Sequence, residues 1–351
     1  MNNKKYDGVY YPVREVTDLK DILIQSTDMF PDETAYLVKD KELDEFVPIT
    51  YARVREEMDA FGTRLIDLGL KGKNIAVIGE TSYNWILTYF AVVAGVGVIV
   101  PLDKNLPQDE LLGLVQRSGA SALVYSDKSK KNIEPLFAKS FDIERFISID
   151  AEQHTDEALS MSRLITEGIG LMADGDTRYT DAEIDPDQMA TLMFTSGTTG
   201  LAKGVMLSHR NIAANVENMS KMFKIPEPGI VLSILPVHHA YEMTCDIWTT
   251  FFQGKTIAIC EGIKYIQKNM VEVKANVMLG VPLVFEKMYK GMWKQAESRG
   301  EAEKLRSAID LSRRMKLYNN RAMIRRMFKA IHQSFGGEMK AFVAGGAAVD
   351  P

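Results

Sequence analysis

Thr195, Ser196, Thr198 and Thr199 are interleaved with Gly197 and Gly200, and Lys203 and Gly204 follow. Hydroxyls, glycines and one ammonium in this order suit an anion. Glycines at 197, 200 and 204 let the backbone turn and come close to a bulky group with no Cβ in the way. The freed amides and the four hydroxyls can donate to phosphate oxygens, while Lys203 adds a mobile positive charge. A nucleotide triphosphate fits this donor set best. Read alone, a Ser/Thr/Gly cluster is also what a surface turn looks like. The spacing is not that of a Walker loop, because Lys203 precedes Gly204 and no hydroxyl residue follows it to hold magnesium.

In its full order, Phe194-Thr-Ser-Gly-Thr-Thr-Gly-Leu-Ala-Lys-Gly-Val205 closely resembles the core motif of the AMP-forming adenylating enzymes, the superfamily of acyl-CoA synthetases, luciferases and adenylation domains. Ala202 departs from the proline usual there, which should loosen the turn without removing a ligand. The resemblance implies that Thr195, Ser196, Gly197, Thr198, Thr199, Gly200 and Lys203 hold the β- and γ-phosphates of ATP, with Mg2+ beside Thr198.

Leu235-Pro-Val-His-His-Ala-Tyr-Glu242 is the second chemically suggestive stretch, following a strand and opening a helix. That places His238 and His239 where open α/β sheets bind ligands. A metal site would have only His238 or His239 with Glu242, and a core histidine satisfied by backbone is an alternative. The stretch also resembles the superfamily's next motif, which puts a gating histidine beside the acyl and phosphate groups; His239 takes that role, with His238 as the fallback. Gly345-Gly346-Ala347-Ala348 follows another strand and resembles the Gly-Gly-Ala-Pro-Leu segment lining the adenine pocket, with Ala348 in place of proline. Ile49-Thr50-Tyr51 and Ala94 to Asp103 resemble early structural motifs of the superfamily. Gly280 to Lys287 and the basic helices after it resemble its long-chain fatty acid-CoA ligase branch.

The resemblance implies a two-step reaction. A carboxylate, already ionised at neutral pH, attacks the α-phosphorus of ATP, giving acyl-AMP and pyrophosphate; the thiol of coenzyme A then displaces AMP. Catalytic roles fall to Lys203 and His239. Adenylation of a carboxylate for a carrier protein, or a non-catalytic nucleotide- or lipid-binding scaffold, are the alternatives. The chain ends at Pro351, before the superfamily's Tyr-Gly-x-Thr-Glu segment, ribose-binding aspartate, hinge and small C-terminal domain. By that resemblance it is the large N-terminal part of a ligase and is expected to be inactive alone.

Those residues need a large α/β scaffold. The chain has 351 residues, 46% of them hydrophobic and 25% charged, with a net charge of −5. That is ordinary globular composition with no footprint for nucleic acid. Cys245 and Cys260 are too few for a disulfide framework, and no apolar h-region follows the start, so a cytoplasmic setting is expected. Thr81 to Leu102 is uncharged and long enough to span a bilayer, but Gly95, Gly97 and Pro101 divide it into a buried helix and strand.

Apolar periodicity predicts a helix over Leu19 to Met29 and a hairpin from strands Thr34 to Lys39 and Phe46 to Thr50. A helix from Thr50 to about Leu68, a strand over 74–79, a helix over 83–93 and a strand over 96–100 follow. Next come a helix over 106–118 and strands over 122–125 and 141–150. Residues 152–187 read as a surface excursion with one helix, the linker before the anion loop. Beyond the loop are helices over 208–222 and 244–252, a short helix over 270–274, and strands over 230–235, 255–259, 277–280 and 341–344. The fold class is therefore α/β: two mainly parallel sheets with flanking helices. It corresponds to the large N-terminal domain of the adenylate-forming fold, truncated before the C-terminal domain. One AMP-binding domain is expected over 1–351, with a first α/β unit at 1–187 and the ATP loop and second α/β unit at 188–351. Residues 285–335 are dense in Lys and Arg at helical spacing. Two or three amphipathic helices are expected there, solvated or touching an anionic lipid surface or the phosphates of coenzyme A.

Overall fold

The computed structural model describes residues 10–137, 142–195, 202–317 and 320–348. Its strands are β1 (Thr34–Asp40), β2 (Glu45–Thr50), β3 (Asn74–Ile78), β4 (Val98–Leu102), β5 (Ala120–Tyr125), β6 (Arg145–Ser148), β7 (Leu159–Ser160), β8 (Met189–Thr195), β9 (Lys203–Ser208), β10 (Ile230–Ser233), β11 (Thr256–Ile259), β12 (Val277–Gly280) and β13 (Ala341–Ala344). Backbone contacts divide the chain into two units. The first gathers residues 1–38, 48–224 and 236–255; the second gathers 39–47, 225–235 and 256–351.

The first unit holds a seven-stranded sheet in the order β7-β6-β5-β3-β4-β8-β9. All its pairs are parallel except β8 with β9. The strands β3, β4 and β5 are apolar nearly throughout because helices cover both faces, as a parallel sheet requires. Helix Leu19–Met29 starts where the Asp18 side chain accepts from the Asp21 N–H, and it buries Leu19, Ile22 and Leu23. Helix Tyr51–Asp67 starts on Thr50 in the same way and buries Val54, Met58, Phe61 and Leu65. Tyr89, Phe90, Trp248 and Phe251 are almost wholly buried and meet edge to face or tilted, and Trp85 stacks on Tyr89, so the short 236–255 segment supplies two rings of this aromatic cluster.

Three sequence expectations are corrected here. Residues 152–187 are not a surface excursion: β7 extends the sheet, and Tyr179 is fully buried with its hydroxyl donating to the Ala91 carbonyl at 3.0 Å. A Cβ on Gly62 or Gly95 would strike the Tyr179 ring, so these glycines make room for it. Helix Tyr83–Ala91 gives way to a wide turn over Val92–Val96, and β4 begins at Val98 rather than 96. Gly97 explains the shift, since any Cβ there would lie 2.1 Å from the Lys73 carbonyl oxygen. The expected boundary near 187 falls inside the first unit, because β8 hydrogen-bonds to β4 and brings β9 with it.

In the second unit β13, β12, β10 and β11 form a parallel array in that order, with Val231, Leu232, Ile257, Val277 and Met278 buried. Asn276 registers it: its Oδ1 accepts from the Ile230 N–H at 2.8 Å and its Nδ2 donates to the Pro226 carbonyl at 2.6 Å. The basic region forms four described helices, Pro282–Ser298, Ala302–Arg314, Arg321–Met327 and Lys329–Ser334, instead of two or three. No helix among the described residues is long and apolar enough to cross a membrane.

Candidate active site

Parallel strands present their carboxyl ends along one edge of the first sheet. β8 lies beside β4 with Ile99 opposite Thr191. Asp103, just beyond β4, and Thr195, the last residue of β8, are thus each four positions further along and emerge together. The chain returns as β9, antiparallel to β8, with Thr195 opposite Lys203 and Phe194 opposite Gly204. Thr195 and Lys203 are both exposed. Ser196, Gly197, Thr198, Thr199 and Gly200, including the expected magnesium contact at Thr198, lie outside the described residues.

The base of this hairpin is fixed by a residue that periodicity does not single out. Arg117 donates to the Ala202 carbonyl at 2.8 Å, and its guanidinium lies 5.7 Å from the centre of the Phe194 ring. Ala202 itself packs against the apolar cluster beneath the sheet, so the position where the superfamily usually has proline is held by packing. Gly204 has the Leu192 side chain 3.1 Å from where a Cβ would sit, which keeps the two strands closely apposed.

The imidazole pair reaches the same edge. Nε2 of His238 lies 3.6 Å from Oδ2 of Asp103, too far for a hydrogen bond. Its side chain is only 11% exposed. Burial, with His239 beside it, pushes the His238 imidazole down to about 4, so it is neutral at physiological pH. Among the described residues the buried Nε2 has no hydrogen-bond partner. The ring of His239, the expected gating residue, lies 4.1 Å from that of His238 and is exposed. Its carbonyl accepts from the Met243 N–H, opening the next helical turn. The structure therefore brings Thr195, Lys203, His238 and His239 to one sheet edge. Asp103 is an added neighbour that the sequence reading placed only in a structural motif.

Beyond Asp103 the edge is polar and internally paired. Lys104 lies 3.3 Å from Glu80, whose other oxygen accepts from Ser126 at 2.7 Å. Burial opposes ionisation of Glu80, but the Ser126 hydrogen bond and the nearby ammonium outweigh it and lower its pKa. Behind the histidines, Glu242 and Asp246 are both fully buried and hydrogen-bonded to each other, and Thr250 donates to Asp246 at 3.1 Å. Burial pushes the Asp246 carboxyl up to about 7 against the pull of its hydrogen bonds to Thr250 and Glu242, because an apolar interior disfavours the charged form. Among the described residues no group of three His, Cys, Asp or Glu is arranged to hold a metal.

Gly345, Gly346 and Ala347, expected to line an adenine pocket, belong to the second unit. The Gly345 N–H donates to the Gly280 carbonyl at 3.1 Å. Gly346 has φ of +77°, and a Cβ there would lie 3.3 Å from Val281. Left-handed backbone explains the glycine, with the Val281 side chain close by. Ala347 is exposed.

A family model described as "AMP-binding enzyme" matches residues 24–351. A long-chain-fatty-acid–[acyl-carrier-protein] ligase from the chloroplast of Arabidopsis thaliana is 28% identical over 298 residues, covering 81% of this chain and 40% of that protein. A long-chain-fatty-acid–CoA ligase of Cavia porcellus is 27% identical over 343 residues, covering 86% of this chain and 46% of that one. The chain thus spans less than half the length of either relative. Among solved structures, the adenylation domain of a carboxylate reductase from Mycobacterium chelonae superposes with a TM-score of 0.77 at 17% identity, covering 95% of this chain and 54% of that one. At that identity the likeness is one of fold.

Proposed function

From a chain that belongs to the AMP-binding enzyme family, we propose a protein that activates a carboxylic acid, a long-chain fatty acid, as its acyl-adenylate and transfers the acyl group to coenzyme A. The observation that carries this reading is the sheet edge where Thr195 faces Lys203 across β8 and β9, with neutral His238 and exposed His239 beside Asp103. The substrate carboxylate attacks the α-phosphorus, the bond to the bridging oxygen breaks, and pyrophosphate leaves. Charge then grows on the β- and γ-phosphates, where Lys203 and the hydroxyl residues from Thr195 to Thr199 are assigned. Thr198 would hold magnesium, which would neutralise phosphate charge there; that cation's preference for phosphate and water oxygens suits a small protein donor set. The neutral imidazole of His238 can stand beside two anions and donate a hydrogen bond without trapping either as an ion pair. This chemistry is charge neutralisation and positioning, needing no base for the nucleophile. Transfer of the acyl group to a carrier protein instead is the second reading, favoured by the activity named for the Arabidopsis thaliana relative.

Calorimetric titration of the chain with ATP tests the phosphate assignment. Replacing a charged hydrogen-bond donor costs roughly 1.5–3 kcal/mol, so Lys203→Ala should weaken binding by about tenfold or more. Unchanged affinity would remove the loop from the site. Hydroxamate trapping across a series of acids, followed by coenzyme A or a carrier protein as acceptor, separates the two readings.

A further inference from the structure

Residues 282–335 carry thirteen Lys and Arg against five Asp and Glu, a net charge of +8 in a chain whose total is −5. The structure shows how little of this region serves as core. Helix Pro282–Ser298 buries only Pro282, and helix Ala302–Arg314 buries only Ser312. Several large apolar side chains on these helices and at their ends stand in solvent, with Leu283 56% exposed, Tyr289 57%, Leu311 47% and Met315 56%, while others such as Phe285, Trp293, Leu305 and Ile309 are half-buried. Arg306 lies over the Trp293 ring at 5.7 Å, joining the two helices. Leu311 and Met315 are four residues apart and so share a face, flanked by Arg313, Arg314 and Lys316. Among the described residues those three cations have no ion-pair partner. We propose that this pair of helices docks on an anionic lipid bilayer, the apolar side chains entering the headgroup layer while the basic ones meet lipid phosphates and carboxylates.

Two features favour a bilayer over an acidic protein. Long Lys and Arg stems can lie along apolar surface and keep their charges at the headgroups, which suits cations set directly beside protruding Leu and Met. The positive charge is also spread over four helices rather than gathered into one pocket, as attraction to a continuous anionic surface favours. A purely solvated face would have no use for the exposed leucines and methionines. This inference stands on the charge and exposure of the second unit alone and does not depend on the proposed reaction.

Sedimentation of the whole chain with vesicles tests it. Uptake on phosphatidylserine/phosphatidylcholine vesicles should exceed that on phosphatidylcholine alone by roughly tenfold or more at low salt, and fall as salt rises. The triple change Arg313→Gln, Arg314→Gln, Lys316→Gln should reduce uptake about tenfold. Leu311→Ser with Met315→Ser should also reduce it, and that loss should persist at every salt concentration. All five positions are exposed, so circular dichroism and the melting temperature should match the parent. Equal uptake on both vesicle types, or a triple variant that sediments like the parent, overturns the proposal. Retention on immobilised coenzyme A or on an acidic protein with no vesicle uptake also overturns it.

Discussion

His238 and His239 share a backbone neighbourhood and a ring contact but not an environment. The first is buried against Asp103 and the second is exposed. The consequence for His238 has a sign. Its folded value of about 4 lies below the ordinary 6.5, so between those pH values the unfolded chain binds a proton that the folded chain refuses. Its contribution to stability is complete above about pH 6.5 and is lost as pH falls towards 4. A shift of this size is worth about 3 kcal/mol at most. Urea unfolding of His238→Gln should therefore show a shallower loss of stability between pH 7 and 4 than the parent. A residual slope is expected from His209, whose buried imidazole is also pushed down to about 4. Parallel curves for parent and variant would mean that His238 is not held neutral. At this scale the sequence was partly legible: hydroxyl and glycine order marks an anion loop, while nothing in the spacing says which of two adjacent imidazoles is desolvated or that Arg117 holds the hairpin.

Among the elements, the turn Glu242–Trp248 behaves in the opposite sense to the histidine. Asp246 holds its proton to about pH 7 because it is buried, whereas in the unfolded chain it gives it up near 3.8. Stability from this group therefore falls as pH rises through that window, and the loss is complete above it. Asp246→Asn keeps a hydrogen-bonding side chain with no charge to desolvate. It should unfold with a flatter pH profile and be more stable than the parent at pH 8, by about 2–4 kcal/mol. A variant less stable than the parent at pH 8 would show that the ionised Asp246 carboxylate is tolerated. Helix Met161–Ala173 offers a matched test of packing. A Cβ on Gly168 would lie 1.9 Å from the Ala60 carbonyl oxygen, while Gly170 has nothing within 4 Å. Gly168→Ala should lower the melting temperature, costing roughly 1–3 kcal/mol, and Gly170→Ala should raise it by the helix propensity gained, about 0.5–1 kcal/mol. If both changes behave alike, the close contact between the helices at Gly168 is not real. Helix Leu19–Met29 was legible to the residue because a cap and an amphipathic face coincide there. The Val92–Val96 turn and buried Tyr179 were not, because each answers to a partner far away in the chain: the Lys73 carbonyl in one case, Gly62 and Gly95 in the other.

For the molecule as a whole, the chain leaves the first unit after Val38, returns at Pro48, leaves again after Lys224 and returns over Pro236–Lys255. A division by sequence position, such as the one expected at 187, cannot describe an exchange of this kind, since alternating strands and helices look the same whichever sheet they join. The interleaving has an energetic consequence. Trp248 and Phe251 come from the returning segment, are fully buried, and contact Phe90 at ring centroid distances of 4.6 and 5.2 Å. Truncating one such aromatic to alanine costs about 3–5 kcal/mol, and a domain has only about 5–15 kcal/mol in all. A chain cut after Lys224 keeps all seven strands of the first sheet but loses both rings together with buried Met243, Ile247 and Phe252. It should show no cooperative thermal transition and no fixed near-ultraviolet dichroism. Adding residues 225–255 restores those side chains, yet leaves β10 without β11 and β12, the strands on either side of it, so a melt of that longer chain should remain weaker than that of the full 351 residues. A sharp transition from the chain ending at Lys224 would show that its sheet and helices suffice without the aromatic core.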